Sequence, residues 1–506
     1  MTDRAAATTA PQSGMARLDQ AGMALFLLTN AIVALLLCTA SMRDCVLRFV
    51  HDDAFYYFGI AHNWALTGKS TFDGLTLTNG YHPLWEWLLL APAALLPNVE
   101  LLVRYGSAVG ALLLAVAGVL LVRFLRRAEI PYAGFAAWWV LGTLAVATIH
   151  GLESPLAALL LAITVLQAWR FLSRPTTGQG LLLGFSLGAL FLARIDTLIW
   201  TGALFGLLAL ENRRTAGRLR PAALATAFAI ATGIIGAYFV SNSLLWGHPL
   251  TVSAMVKAGR TPSFSFHINL SLLMLTAYAA TLCGLPACWS YARLYITRSA
   301  AWAPGPLLAT WLTAANALYL LGLLLRGGEE IYNWYYVVPT LSGALLLPLS
   351  LDQLKCSPVF KTSLYRLSVL GCVVLLCITI AGKRRPGSFV DAYDQAMKLR
   401  TLPAYSRTFA LTDCGVIGTL SNQHCINIDG LTCSFEFQEA LRENRAAEFL
   451  RKLGINTYIF PAGVPPAREA TARIPAGIAG VPRQLHYTLT APLDPETRIW
   501  SVASIQ

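Results

Sequence analysis

The stretch from His51 to Trp87, HDDAFYYFGIAHNWALTGKSTFDGLTLTNGYHPLWEW, is the most chemically distinctive part of this 506-residue chain. Asp52 and Asp53 stand directly ahead of Phe55, Phe58, Ala61 and Ala65, a spacing that predicts an amphipathic helix lying on a membrane surface. A carboxylate held at such a boundary, partly dry, gains proton affinity and can act as a general base on a hydroxyl. Asp is also a preferred helix N-cap, so the pair has a purely structural reading as well. Further candidates lie far along the chain: Glu153 in HGLES (150–154), Arg194 and Asp196 in ARID (193–196), and Lys257 at the end of GHPLTVSAMVK (247–257). Arg260 and Arg326 are additional cations, His82 sits beside Pro83, and Trp334, Tyr335 and Tyr336 lie in NWYYVVP (333–339). Each also has an ordinary explanation. An Arg one residue from Asp196 can snorkel or pair with it, a His at a helix entry can be satisfied by backbone, and aromatic belts form at membrane interfaces without a functional cause.

The elements that must position these residues are membrane helices. Hydrophobic residues make up 56% of the chain and charged ones 13%, with a mean hydropathy of +0.56. Apolar runs at 22–40, 99–122, 131–149, 155–172, 180–193, 197–210, 221–246, 270–290, 303–325, 336–351 and 365–382 predict about eleven spans. The two shortest of these flank Arg194-Ile195-Asp196 and read as a hairpin reaching one face. A further run, 84–97, is too short to span, carries Glu86 and two prolines, and reads as interfacial or re-entrant. With the N-terminus inside, the inner segments carry 16 Lys and Arg against 8 in the outer loops, and counting 84–97 as a span would invert that asymmetry. Asp52, Asp53, Glu153, Asp196 and Lys257 then share the outer face. The net charge of +12 is explained by the cytoplasmic loops, so nucleic acid is excluded as a partner.

Three regions are expected: a disordered cytoplasmic N-terminus (1–21), a transmembrane domain (22–382) whose first outer loop (41–98) holds interfacial helices, and a soluble C-terminal α/β domain (383–506) on the outer side. The last shows strand-like stretches at 408–413, 425–429, 456–460 and 498–504 and one amphipathic helix at 436–454. In an oxidising compartment one disulfide among Cys414, Cys425 and Cys433 is expected, with the pairing open. Zinc is disfavoured, since no CxxC occurs and His424 is the one nearby imidazole.

The segments DDAFYYFGIAHN (52–63), the Gly68 turn, TFDG (71–74), TNGYHPLW (78–85), HGLES, ARID, GHPLTVSAMVK, NWYYVVP and the late DCGVIG … INIDGL (413–431) resemble, in order, the GT-C glycosyltransferases, and among them the bacterial branch related to arabinofuranosyl- and aminoarabinosyl-transferases. The first-loop motif is the specific part. The resemblance implies a multi-pass enzyme of the bacterial inner membrane that transfers a monosaccharide, with inversion, from a polyprenyl-phosphate donor to a hydroxyl of a glycan, lipid or protein acceptor. It implies Asp53 as general base, with Asp52 able to match the same position, to orient the acceptor or to join Asp53 and Glu153 around an optional divalent cation. Glu153 and Asp196 are the candidates for acceptor hydroxyls, and Lys257, Arg260, Arg194 and Arg326 for the leaving phosphate. His82 is expected to contact phosphate or sugar, and Trp334 and Tyr335 to stack on sugar. A secondary transporter or glycolipid flippase would instead show internal repeats and mid-membrane ionisable residues, and a non-catalytic assembly protein would tolerate loss of Asp53.

Overall fold

The computed structural model describes residues 9–505 apart from 97, 148, 216, 259–270, 300, 327–330, 382–387, 444, 456, 460–468, 475–482 and 495–498. Arg260 lies outside the described residues, as does the side chain of Arg326. Among the described residues eight helical stretches are long and apolar enough to cross a membrane: Ala16–Thr39, Val99–Arg127, Ser154–Ser173, Pro221–Trp246, Leu272–Ile296, Pro304–Leu325, Asn333–Gln353 and Pro358–Ala381. The chain is a multi-pass membrane protein.

The helices differ from the expected eleven in instructive ways. In the 131–149 run only Phe135–Thr143 is helical, nine residues that are all buried. A helix apolar on every side is one enclosed by protein, and here Trp139 donates to the Thr340 carbonyl from within the bundle. The runs 180–193 and 197–210 are two 17-residue helices, Thr177–Ala193 and Leu198–Arg214, separated by Arg194 and a short 3-10 turn. The first packs tightly on Pro221–Trp246, because Gly180 and Gly184 leave no side chain between its backbone and the carbonyls of Ala223 and Ala227. The short helix Pro83–Leu95 starts with Pro83 at its first position, where the missing N–H costs nothing. Its Glu86 points inward, fully buried, and burial raises that carboxyl well above the usual range. The N-terminal segment is also more ordered than its composition suggests. The chain is helical from Thr9, and Asp19 accepts hydrogen bonds from the Gly134 N–H and the Tyr365 hydroxyl.

Beyond a helix at Ser388–Leu399 the chain forms a six-stranded sheet from β1 (Thr408–Leu411), β2 (His424–Asn427), β3 (Thr457–Ile459), β4 (Glu469–Ile474), β5 (Arg483–Asp494) and β6 (Ile499–Ile505), in the order β2-β1-β3-β6-β5-β4. β1 pairs parallel with β2 and β3, whereas β3–β6, β6–β5 and β5–β4 are antiparallel. Four of these strands match the alternating stretches in the sequence, and β4 and β5 are additional. The amphipathic stretch at 436–454 is two helices, Phe435–Arg442 and Ala446–Lys452. Ser434 caps the first by accepting the Phe437 N–H.

Candidate functional site

The first loop is folded by its own polar side chains. Asp73 of TFDG accepts the N–H groups of Leu75 and Thr76 and the hydroxyls of Thr71 and Thr76, which makes it the organiser of a tight turn. Asn79 of TNGYHPLW accepts the Val252 N–H at 2.9 Å and donates to Asn242 at 3.1 Å, fixing the start of the short helix Val252–Ala258 that carries Lys257. Trp85 donates to the Gly151 carbonyl at 3.0 Å, and Val50 forms a parallel bridge with His150. Together these contacts bring Glu153 beside the first loop.

The loop helix, Asp52–Thr67, has two working faces. One face meets the C-terminal segment. Asp52, 5% exposed, accepts the N–H groups of Gly415 at 2.9 Å and Val416 at 2.8 Å. One turn on, the Tyr56 hydroxyl accepts the Cys414 N–H and the Asn427 amide, and the Phe55 carbonyl accepts the Thr419 hydroxyl. The other face, with Asp53, Tyr57 and Ile60, lines a cavity of 490 Å³, which Tyr56 also reaches. His51 caps this helix by accepting the Asp53 N–H, and its ring lies edge-on to Trp334 at 4.6 Å between centroids.

That cavity collects Asp53, Glu153, Arg194, Asp196, Lys257, His82, Trp334 and Tyr335. The structure thus brings together eight of the eleven candidate positions, the Arg326 side chain lying outside the described residues. Asp52 faces the C-terminal segment instead, and Arg260 lies outside the described residues. Arg194, 2% exposed, is the keystone. It donates to Glu153 at 2.6 Å, to both oxygens of Asp196 at 3.1 and 2.6 Å, and to Ser154 and the Trp334 carbonyl. The side chain expected to meet a phosphate therefore already holds two carboxylates. Burial alone would raise the Asp196 carboxyl, but Arg194 holds it down at about 2. Tyr57 and Tyr319 complete the network by donating to Glu153 and Asp196 at 2.9 and 2.8 Å.

Lys257 is arranged differently. Its Nζ lies 5.5 Å from the centre of the Tyr335 ring, whose surroundings also include the Arg194 guanidinium at 5.4 Å. Among the described residues no carboxylate pairs with Lys257, so its charge is available to a ligand. His82 accepts the Ile195 N–H on Nδ1 at 3.3 Å, which leaves the proton on Nε2, 3.9 Å from Glu153. Burial pushes this imidazole down to about 4, against the pull of Glu153, so it is neutral at ordinary pH.

A divalent cation held by Asp52, Asp53 and Glu153 does not fit this arrangement. Both Asp52 oxygens accept backbone N–H groups, and the Glu153 oxygens accept from Arg194 and Tyr57. Among the described residues no three metal-binding side chains cluster. The expected disulfide is absent as well: Cys414, Cys425 and Cys433 are buried free thiols, and Cys433 contacts the Asn427 carbonyl. Several cavity residues were invisible to motif reading. Tyr57 could have been found one helical turn after Asp53, and Leu431 ends the late INIDGL segment, but Thr432 reaches the cavity from the far end of the chain without a signal, and Tyr319, which supports the wall through Asp196, sits inside an apolar span.

No protein family's sequence profile matches the chain, and no curated protein matches it in sequence. Its architecture does have solved counterparts. ArnT from Cupriavidus metallidurans bound to undecaprenyl phosphate superposes with a TM-score of 0.52 at 13% identity, over 95% of this chain and 97% of that one. The Archaeoglobus fulgidus oligosaccharyltransferase in the apo form gives a TM-score of 0.50 at 12% identity, over 87% of this chain and 69% of that one. The chain has the fold of the GT-C membrane glycosyltransferases.

Proposed function

We propose that this protein transfers a monosaccharide from a polyprenyl-phosphate donor to an acceptor hydroxyl at the outer face of the membrane. The observation that carries the reading is the cavity itself, where Asp53, a Lys257 with no carboxylate partner among the described residues and a neutral His82 converge above membrane helices of GT-C architecture. ArnT, which shares this fold, binds undecaprenyl phosphate, and a long apolar tail suits a substrate that approaches from lipid.

In this mechanism Asp53 accepts the acceptor's hydroxyl proton while that oxygen attacks the anomeric carbon. The bond from this carbon to the phosphate oxygen breaks, and the phosphate leaves with the bonding pair. Attack opposite the leaving group inverts the anomeric centre. Lys257 meets the charge that develops on the phosphate, assisted by the His82 Nε2–H. The Glu153–Arg194–Asp196 network holds the floor rigid and presents carboxylate oxygens to sugar hydroxyls, with Trp334 and Tyr335 as the aromatic wall. No step requires a metal.

The test is transfer in membranes from a panel of polyprenyl-phosphate sugars, wild type against Asp53→Asn. Transfer from one donor by the wild type and its loss in the variant are expected. Undiminished transfer by the variant removes Asp53 as base, and no transfer from any lipid sugar removes the enzymatic reading in favour of a transporter or an assembly protein.

A further inference from the structure

The C-terminal segment is joined to the first loop by buried polar contacts that a merely adjacent module would not need. Asp52 is 5% exposed, yet both of its oxygens are matched, by two consecutive N–H groups of the segment. Burying a carboxyl whose oxygens have no donors is costly, and here the two backbone N–H groups satisfy both. Around this contact lie Tyr56 with Cys414 and Asn427, and Thr419 with the Phe55 carbonyl. Two glycines permit the close approach. A Cβ on Gly415 would strike the Asp52 carbonyl, and one on Gly80 would strike the Leu431 carbonyl. A third contact lies farther out, where His248 stacks on Phe435 with centroids 4.4 Å apart.

The consequence reaches the cavity, because Leu431 and Thr432 are part of its wall. Asp52 and Asp53 are successive residues in the first turn of one helix, so whatever anchors the first fixes the direction of the second. We infer that Asp52 is a positioning residue: its carboxylate docks the C-terminal segment onto the first loop, and that docking aims Asp53 into the cavity and brings Leu431 and Thr432 in to close it. This assignment rests on the glycosyl-transfer reading of the cavity only for its activity readout. It makes the C-terminal segment a component of the site.

A covalent substitute for the contact tests it. An ideal Cβ on Gly59 lies 2.9 Å from the Thr419 hydroxyl oxygen and 3.0 Å from two Phe72 ring carbons, so a Gly59→Cys and Thr419→Cys pair brings the two sulfurs within reach of a bridge, with Phe72→Leu added in every variant to make room. Asp52→Ala alone is expected to speed hydrogen exchange across 414–420 and to lower kcat by about a hundredfold, the cost of a misaimed catalytic group. In the same variant carrying the two cysteines, oxidation with a mild thiol oxidant is expected to restore transfer to the level of the bridged Asp52 parent, and reduction to abolish it again. Mass mapping confirms that the bridge joins 59 to 419.

Two results overturn the assignment: unchanged exchange across 414–420 in Asp52→Ala, or a formed bridge that restores protection there without restoring transfer, which would make Asp52 a chemical participant. If the wild type transfers nothing, the proposed activity fails, but the exchange measurement still decides whether Asp52 docks the segment.

Discussion

Asp52 and Asp53 carry the same side chain at successive positions, yet the fold gives them opposite surroundings. Asp52 is enclosed by backbone donors from a segment over 360 residues away, and Asp53 opens onto the cavity. Tyr56 and Tyr57 repeat the contrast one turn later, the former toward the C-terminal segment and the latter toward Glu153. The lesson is that a 100° rotation along one helix separates a contact with the C-terminal segment from the cavity wall. Arg194 and Lys257 form a second contrast of this kind, one cation saturated by carboxylates and the other left for a ligand.

The sharpest way to break these comparisons begins with Arg194. Arg194→Ala leaves buried Glu153 and partly exposed Asp196 without their counter-charge, and loss of one member of a buried pair such as Arg194–Glu153 costs roughly 3–5 kcal/mol. The expected result is a large drop in detergent-solubilised thermal stability, whereas Lys257→Ala melts like the wild type. A stable Arg194→Ala would erase the distinction between the two cations. Next, Asp53→Asn is expected to reduce the transfer rate by about 10²–10⁴, the usual worth of a general base, with no change in the hydrogen exchange of 414–420. Exchange that rises there would mean both Asp residues serve docking. Lys257→Met is expected to cost roughly ten- to a hundredfold in kcat/KM, the worth of one charge-assisted hydrogen bond, and to leave the melting temperature alone.

The pH dependence provides a finer test. Asp429 is raised to about 7, first by burial and then by the charge of Asp413. A folded-state value above the unfolded one means that the fold retains a proton the open chain releases. This group's contribution to the stability of the segment is therefore full in acid and is lost as the pH rises from about 4 through about 7. Hydrogen exchange across 414–420 is expected to be slower at pH 5.5 than at pH 8, once corrected for intrinsic rates, and Asp429→Asn to remove the difference. The smallest effect is expected at His82. With its imidazole at about 4, the acid limb of transfer above pH 5 belongs to another group, and His82→Gln is expected to leave that limb in place. A shift of the limb in this variant would assign it to His82.

Local pattern carried most of the architecture. Long apolar runs and the shortness of 84–97 follow from the cost of moving backbone and charge into lipid, which each segment meets by itself. The 131–149 run misleads for the same reason: apolarity records removal from water and does not distinguish lipid from protein, and Phe135–Thr143 is enclosed by protein. The division of 436–454 into two helices and strands β4 and β5 escape because short elements depend on what they pack against.

The sequence by itself determined that the chain crosses a membrane repeatedly and which ionisable residues stand at helix mouths, because hydrophobicity and residue type act locally. Only the tertiary structure decided that Asp53 and not its neighbour lines the cavity, that Arg194 is already paired, and that Leu431 and Thr432 belong to the site. Those outcomes depend on contacts between residues far apart in the chain, which no local spacing encodes.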